Sequence, residues 1–152
     1  MNKKKSIVLL NSLIEINNDR IEEYEIDANE TEESDLKILF FQFQQTSQKC
    51  KAELIIEVQR LGGVPTQNAK IGDSFFKVWM NVIAILTGKN RNSILNSCKY
   101  SDDIAVNSYS ETLKTKRRYI THEQQIMLKS QHSLIKADNN KVKELLANTL
   151  CS

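Results

Sequence analysis

Ser47 and Cys50, in the stretch FQFQQTSQKCKAEL (residues 41–54), stand three apart on one face of a strongly amphipathic helical pattern. Helix bundles that hold two iron or manganese ions place a Glu-x-x-His motif at this kind of level in two helices. They add a single Glu from each of the other two. The chemistry needs that set, because carboxylate oxygens bridge and neutralise two cations while each imidazole caps one. A hydroxyl and a thiol stand here in place of the acid and the imidazole.

The matching level of the other helices is no richer. The first offers Asn17, seven residues before Tyr24, and the third offers Asp102. The fourth has no Glu-x-x-His, since Lys129 precedes His132 by three. His122 and His132 are ten apart, nearly three turns, and cannot share a small site. One ligand of the required six cannot hold two ions, so no catalytic, cofactor or metal residue is expected. Asn17, Ser47, Cys50 and Asp102 read as an inward polar layer that satisfies itself or encloses water, with ion binding left open. Cys50 lies between Lys49 and Lys51, but neither lysine shares its helix face, so a buried thiol is expected rather than a nucleophile. Asp19, Glu22, Glu23 and Glu25 point in several directions and read as a solvated face.

Four long helices must position this layer. The first covers about 5–29, with Leu10, Leu13, Ile14, Asn17, Ile21, Tyr24 and Ala28 inward. The second covers about 35–61, with Ser34 as N-cap and Leu36, Phe40, Phe43, Ser47, Cys50, Leu54 and Leu61 inward. Gly62 or Gly63 ends it, and Pro65 prevents continuation. Residues 64–72 read as a loop, and a shorter helix follows from Asp73 or Ser74 to Gly88. The third long helix covers about 91–115, with Leu95, Cys98, Asp102, Ala105, Tyr109 and Leu113 inward. Thr121 and Gln124 have capping-box spacing for the fourth, which runs to about 148 with Leu128, Gln131, Ile135, Val142 and Leu145 inward.

Nearly 30 residues separate the second and third helices, far more than antiparallel neighbours need. The predicted fold is therefore all-α: one domain over residues 1–152, a ferritin-like up-down four-helix bundle whose long crossover carries the short extra helix. An internal repeat agrees with it. Shifting 10–24 by 85 lays Leu10, Asn11, Ser12 and Tyr24 on Leu95, Asn96, Ser97 and Tyr109, with Asn17 on Asp102.

Composition narrows the classes of function. Four glycines and one proline in 152 residues suit a few long helices rather than many strands. A net charge of +2 supplies no field for nucleic acid or an anionic membrane, so neither is an expected partner. The basic cluster KTKRR (114–118) reads as a solvated interhelical turn. MNKKKSIVLLNSLIEI reads as the first turns of a mature helix, not a signal peptide, and no apolar run is long enough to span a membrane. Cys50, Cys98 and Cys151 form no C-x-x-C, which suits a reducing cytoplasm.

LLNSLIEINNDRIEEY, AELIIEVQRLGGVP, KVWMNVIAILTG, SDDIAVNSYSETL and IKADNNKVKEL together resemble an uncharacterised bacterial family of ferritin-like four-helix-bundle proteins. The resemblance covers nearly the whole chain and implies the fold, not an activity. Phe76 and Asn139-Asn140 stand where relatives often carry histidine, which weakens a shared metal or proton-transfer role at those positions.

The expected function is a non-enzymatic bundle acting through protein interaction or self-association. The alternative is a metal-binding or di-iron oxidase-like protein with an altered ligand set. Phe75, Phe76, Trp79, Val82, Ile83 and Leu86 spread around most of the crossover helix, so either the bundle envelops it or a second subunit covers its outer face, and homodimerisation through it is the working expectation.

Overall fold

The computed structural model describes residues 2–67 and 90–148, with the helical backbone continuing to 150. Four long helices account for most of them, and no strand occurs among the described residues. Helix α1 spans Lys3–Glu30 and α2 spans Ser34–Arg60. Helix α3 spans Arg91–Thr115 and α4 spans His122–Leu150, with a single 3-10 turn at Arg117–Tyr119 between them. The predicted crossover helix, with Phe75, Phe76, Trp79, Val82, Ile83 and Leu86, lies outside the described residues.

The helix boundaries have local causes. The Asn2 side chain caps α1 through the Lys5 N–H, and Asn90 caps α3 through the Ser93 N–H at 2.9 Å. Thr121 and Gln124 form the expected reciprocal capping box, at 2.9 and 3.0 Å. Ser34 is not the N-cap of α2. Glu33 holds that position without a side-chain bond, and the Thr31 hydroxyl accepts from the Glu33 N–H. At the other end of α2, Gly62 adopts φ +82°, its N–H bonding Gln59 O and that of Gly63 bonding Val58 O. Those two bonds make a Schellman motif, in which the left-handed residue needs no Cβ.

Helix direction follows from the contacts. Three residues join α1 to α2, and one short turn joins α3 to α4, so each pair is an antiparallel hairpin. Asn17 meets Tyr109 while Asp27 meets Cys98, so α1 also runs against α3. Gln124 meets Glu57 and Gln131 meets Glu53, setting α4 against α2. Arg91 at the start of α3 pairs with Glu33 and Asp35 at the start of α2, at 3.0 and 3.1 Å. Helices α2 and α3 therefore run the same way, an arrangement open only to a long connection.

The apolar core has two parts. One gathers Leu10, Leu13, Ile14, Leu54, Tyr109 and Leu128, and the other Tyr24, Leu36, Phe40, Phe43, Leu95 and Val142. The second contains an aromatic group in which the Tyr24 ring stacks on Phe40 at 5.8 Å and meets Phe43 edge-on at 5.1 Å. Residues between the two parts are polar, and they form the site described below.

Gly62→Ala would force a Cβ into the left-handed region. Urea unfolding should show a loss of about 1–2 kcal/mol, with the helical content of the folded protein unchanged.

Candidate functional site

The inward stripes repeat every 3.5 residues rather than 3.6, as bundle packing requires. On α1 the buried residues include a heptad-spaced row of Leu10, Leu13, Asn17, Arg20, Tyr24 and Asp27. On α3 the corresponding row is Leu95, Cys98, Asp102, Ala105, Tyr109 and Thr112. The expected Ile21 and Ala28 are only half-buried, as are Leu61 and Leu113, whose places Val58 and Thr112 take. This phase carries Arg20 inward, a residue the hydrophobic pattern alone does not select.

Arg20 is 1 % exposed and occupies the centre of the bundle. Its Nε donates to Ser47 Oγ at 2.8 Å, one terminal nitrogen pairs with Asp102, and the other reaches Asp138 Oδ2 at 3.3 Å. The guanidinium thus joins four helices through one planar fork. Burial works against its charge, but the neighbouring Tyr24, Asp102 and Asp138 outweigh that and raise its pKa. It remains a cation.

The sequence-predicted layer is therefore real, but its organiser is an arginine. Ser47 and Asp102 are both bound to it. Tyr24 also donates to Asp102, while Asn17 donates to the Tyr109 hydroxyl at 2.9 Å. The repeat relating Asn17 to Asp102 and Tyr24 to Tyr109 thus appears as an exchanged pair of contacts. Tyr109 donates onward to Gln131 Oε1 at 2.7 Å, and Gln131 donates to Glu53 at 3.0 Å. Cys50 is buried beside this chain, and burial pushes its thiol up to about 12, which opposes nucleophilic use. Asn139 is buried and donates to Asp103 Oδ1 at 2.9 Å. His132 lies half-buried, 3.3 Å from Ser110 Oγ, and His122 is exposed.

One expectation is overturned. Glu23 does not lie on a solvated face: it is 2 % exposed, with Asp27 below it and Cys98 opposite on α3. The 3.5-residue phase again explains this, because Glu23 flanks the stripe at Arg20, Tyr24 and Asp27. Burial raises the Glu23 carboxyl well above the usual range, and burial carries Asp27 up to about 8. The basic turn also differs in detail, since Lys5 and Arg118 sit over the Tyr119 ring at 4.9 and 4.8 Å.

Residues 5–115 match the family described as Domain of unknown function (DUF2383). The chain belongs to this family. The DUF2383 match runs from α1 to the end of α3, so it includes Arg20, Ser47 and Asp102, whereas Asp138 on α4 lies beyond it. No curated protein matches the chain.

Arg20→Met would leave Asp102 and Asp138 buried without their counter-charge. Denaturant unfolding at neutral pH should show a loss of about 3–5 kcal/mol, part of it recovered as falling pH protonates the two acids. In the unaltered protein, burial holds Asp138 up at about 6, against an ordinary 3.8. A raised carboxyl contributes stability below its unfolded pKa and loses it as pH rises through the folded one. Unfolding free energy should therefore fall between about pH 4 and pH 6 and level off above, and Asp138→Asn should make that fall shallower.

Proposed function

We propose that this DUF2383 chain is a non-catalytic, ferritin-like four-helix bundle that acts through protein interaction or self-association. The carrying observation is the Arg20 guanidinium, fixed by Ser47, Asp102 and Asp138 at the level where di-metal bundles concentrate their carboxylates. A buried cation there repels a pair of divalent ions and occupies the acids that would bind them. The parallel run of α2 and α3 supports the ferritin-like reading, because one long crossover is the mark of that topology.

Self-association draws on different support. Read from the sequence as a helix, the crossover segment would spread Phe75, Phe76, Trp79, Val82, Ile83 and Leu86 over more of its circumference than one packing face uses. On α2, Ile38 and Phe41 lie three apart on one face and are 61 % and 59 % exposed. These residues suit a homodimer interface. No described helix is long and apolar enough to cross a membrane. Cys50 and Cys98 are free buried thiols, in keeping with a reducing cytoplasm.

Ferrous iron added to the metal-free protein in air should give neither a two-iron stoichiometry nor an oxo-bridged di-iron absorption band. Two ions per chain at the Arg20 level would overturn the non-catalytic reading. Sedimentation at rising concentration should show a dimer that Trp79→Ala weakens, and a strict monomer would remove the self-association reading.

A further inference from the structure

Glu23 and Asp27 are four apart on α1 and share a face, which meets Cys98 on the opposing α3. One ligand atom from each lies within 4.8 Å of the other two, and all three side chains are buried. The Cys98 thiol stands 3.1 Å from Asp27 Oδ2. Neither Glu23 carboxylate oxygen has a hydrogen-bond partner. The Ser101 hydroxyl, one turn beyond Cys98, is close enough to favour the charged form of Glu23 but makes no aligned hydrogen bond, and it too is buried without a partner.

Charge balance sharpens the observation. Glu23, Asp27, Asp102 and Asp138 are buried acids, and Arg20 is the single buried lysine or arginine among the described residues. Arg20 is engaged by Asp102 and Asp138. Arg20's charge reaches Glu23 without a hydrogen bond to it, and Asp27 accepts from the Cys98 thiol, so two buried carboxylates share little compensation, which is costly in a core.

We propose that Glu23, Asp27 and Cys98 form a mononuclear site for a borderline divalent ion of the zinc class, with the Ser101 hydroxyl available as a further oxygen donor. Two carboxylates and a thiolate suit zinc, which accepts mixed oxygen and sulfur ligands in four-coordinate sites. Calcium takes six to eight oxygens and magnesium keeps several waters, so neither fits a buried thiol-containing set. Binding displaces the thiol proton and any carboxyl protons to solvent, so affinity rises with pH through neutrality. Burial on all sides makes this a structural ion that bridges α1 and α3. The site adjoins the Arg20 level but uses none of the residues that hold Arg20, so it does not rest on the preceding reading.

Cobalt(II) replaces zinc as a visible probe. Added to the metal-free chain, directly or during refolding, it should bind at one ion per chain with a thiolate-to-cobalt charge-transfer band. Cys98→Ser should remove the band, and Cys50→Ser should leave it. Glu23→Gln removes a buried charge and should fold, checked by circular dichroism. It should weaken binding by more than the roughly 10–100-fold that outer-shell changes cost. Zinc should raise the thermal midpoint of the unaltered protein and leave that of Glu23→Gln unmoved. No bound cobalt, or a band that survives Cys98→Ser, would overturn the site. Two ions per chain that bind without Cys98 would count instead against the proposed non-catalytic function.

Discussion

The interior of this bundle is organised by one charge that water does not reach. A guanidinium moved into a core is tolerable only if its donors are filled by acceptors of good geometry. Arg20 meets that demand with Ser47, Asp102 and Asp138, drawn from the three other helices. Those contacts set the relative heights of all four helices, because a shift of one turn along any of them would carry its acceptor about 5.4 Å away. The layer also divides the apolar core, with Leu13 and Leu54 on one side and Tyr24 and Phe40 on the other. Hydrophobic burial supplies the bulk of the driving force in both parts. The polar layer supplies the register.

Much of this was legible in the residues, for identifiable reasons. Thr121 with Gln124 and the Gly62-Gly63 pair carry their structure locally, since a cap or a left-handed turn depends on neighbours in the chain. The inward placement of Asn17, Ser47, Cys50 and Asp102 followed from periodicity. Arg20, Glu23 and Asp27 did not. A charged residue is by default assigned to water, and a 3.6-residue repeat drawn through the apolar positions of α1 selects Ile21 and Ala28 instead. Extending the heptad spacing of Leu10, Leu13 and Asn17 arrives at Arg20, Tyr24 and Asp27. Asp138 was hidden for the same reason, standing three residues after Ile135 and four before Val142 on α4.

The internal repeat gains a physical meaning from the two tyrosines. Tyr24 reaches Asp102, and Tyr109 receives Asn17, so each helix of the α1–α3 pair grips the polar residue of the other. The symmetry is broken next to these contacts. The repeat places Ala105 opposite Arg20, a small residue against the largest fully buried side chain. A second long cation at that level would find Asp102 and Asp138 already engaged by Arg20. One half of the pair therefore carries the charge, and the other carries the space for it.

The same distribution bears on folding. The α1–α2 hairpin contains Arg20 and, of its three partners, only the uncharged Ser47. Both carboxylates come from the α3–α4 hairpin. In either hairpin alone these two ion pairs could not form. The charged middle of the bundle is therefore assembled only when the halves meet. The protein is in that sense a covalently joined heterodimer of complementary hairpins, cooperative because its charges are divided between them.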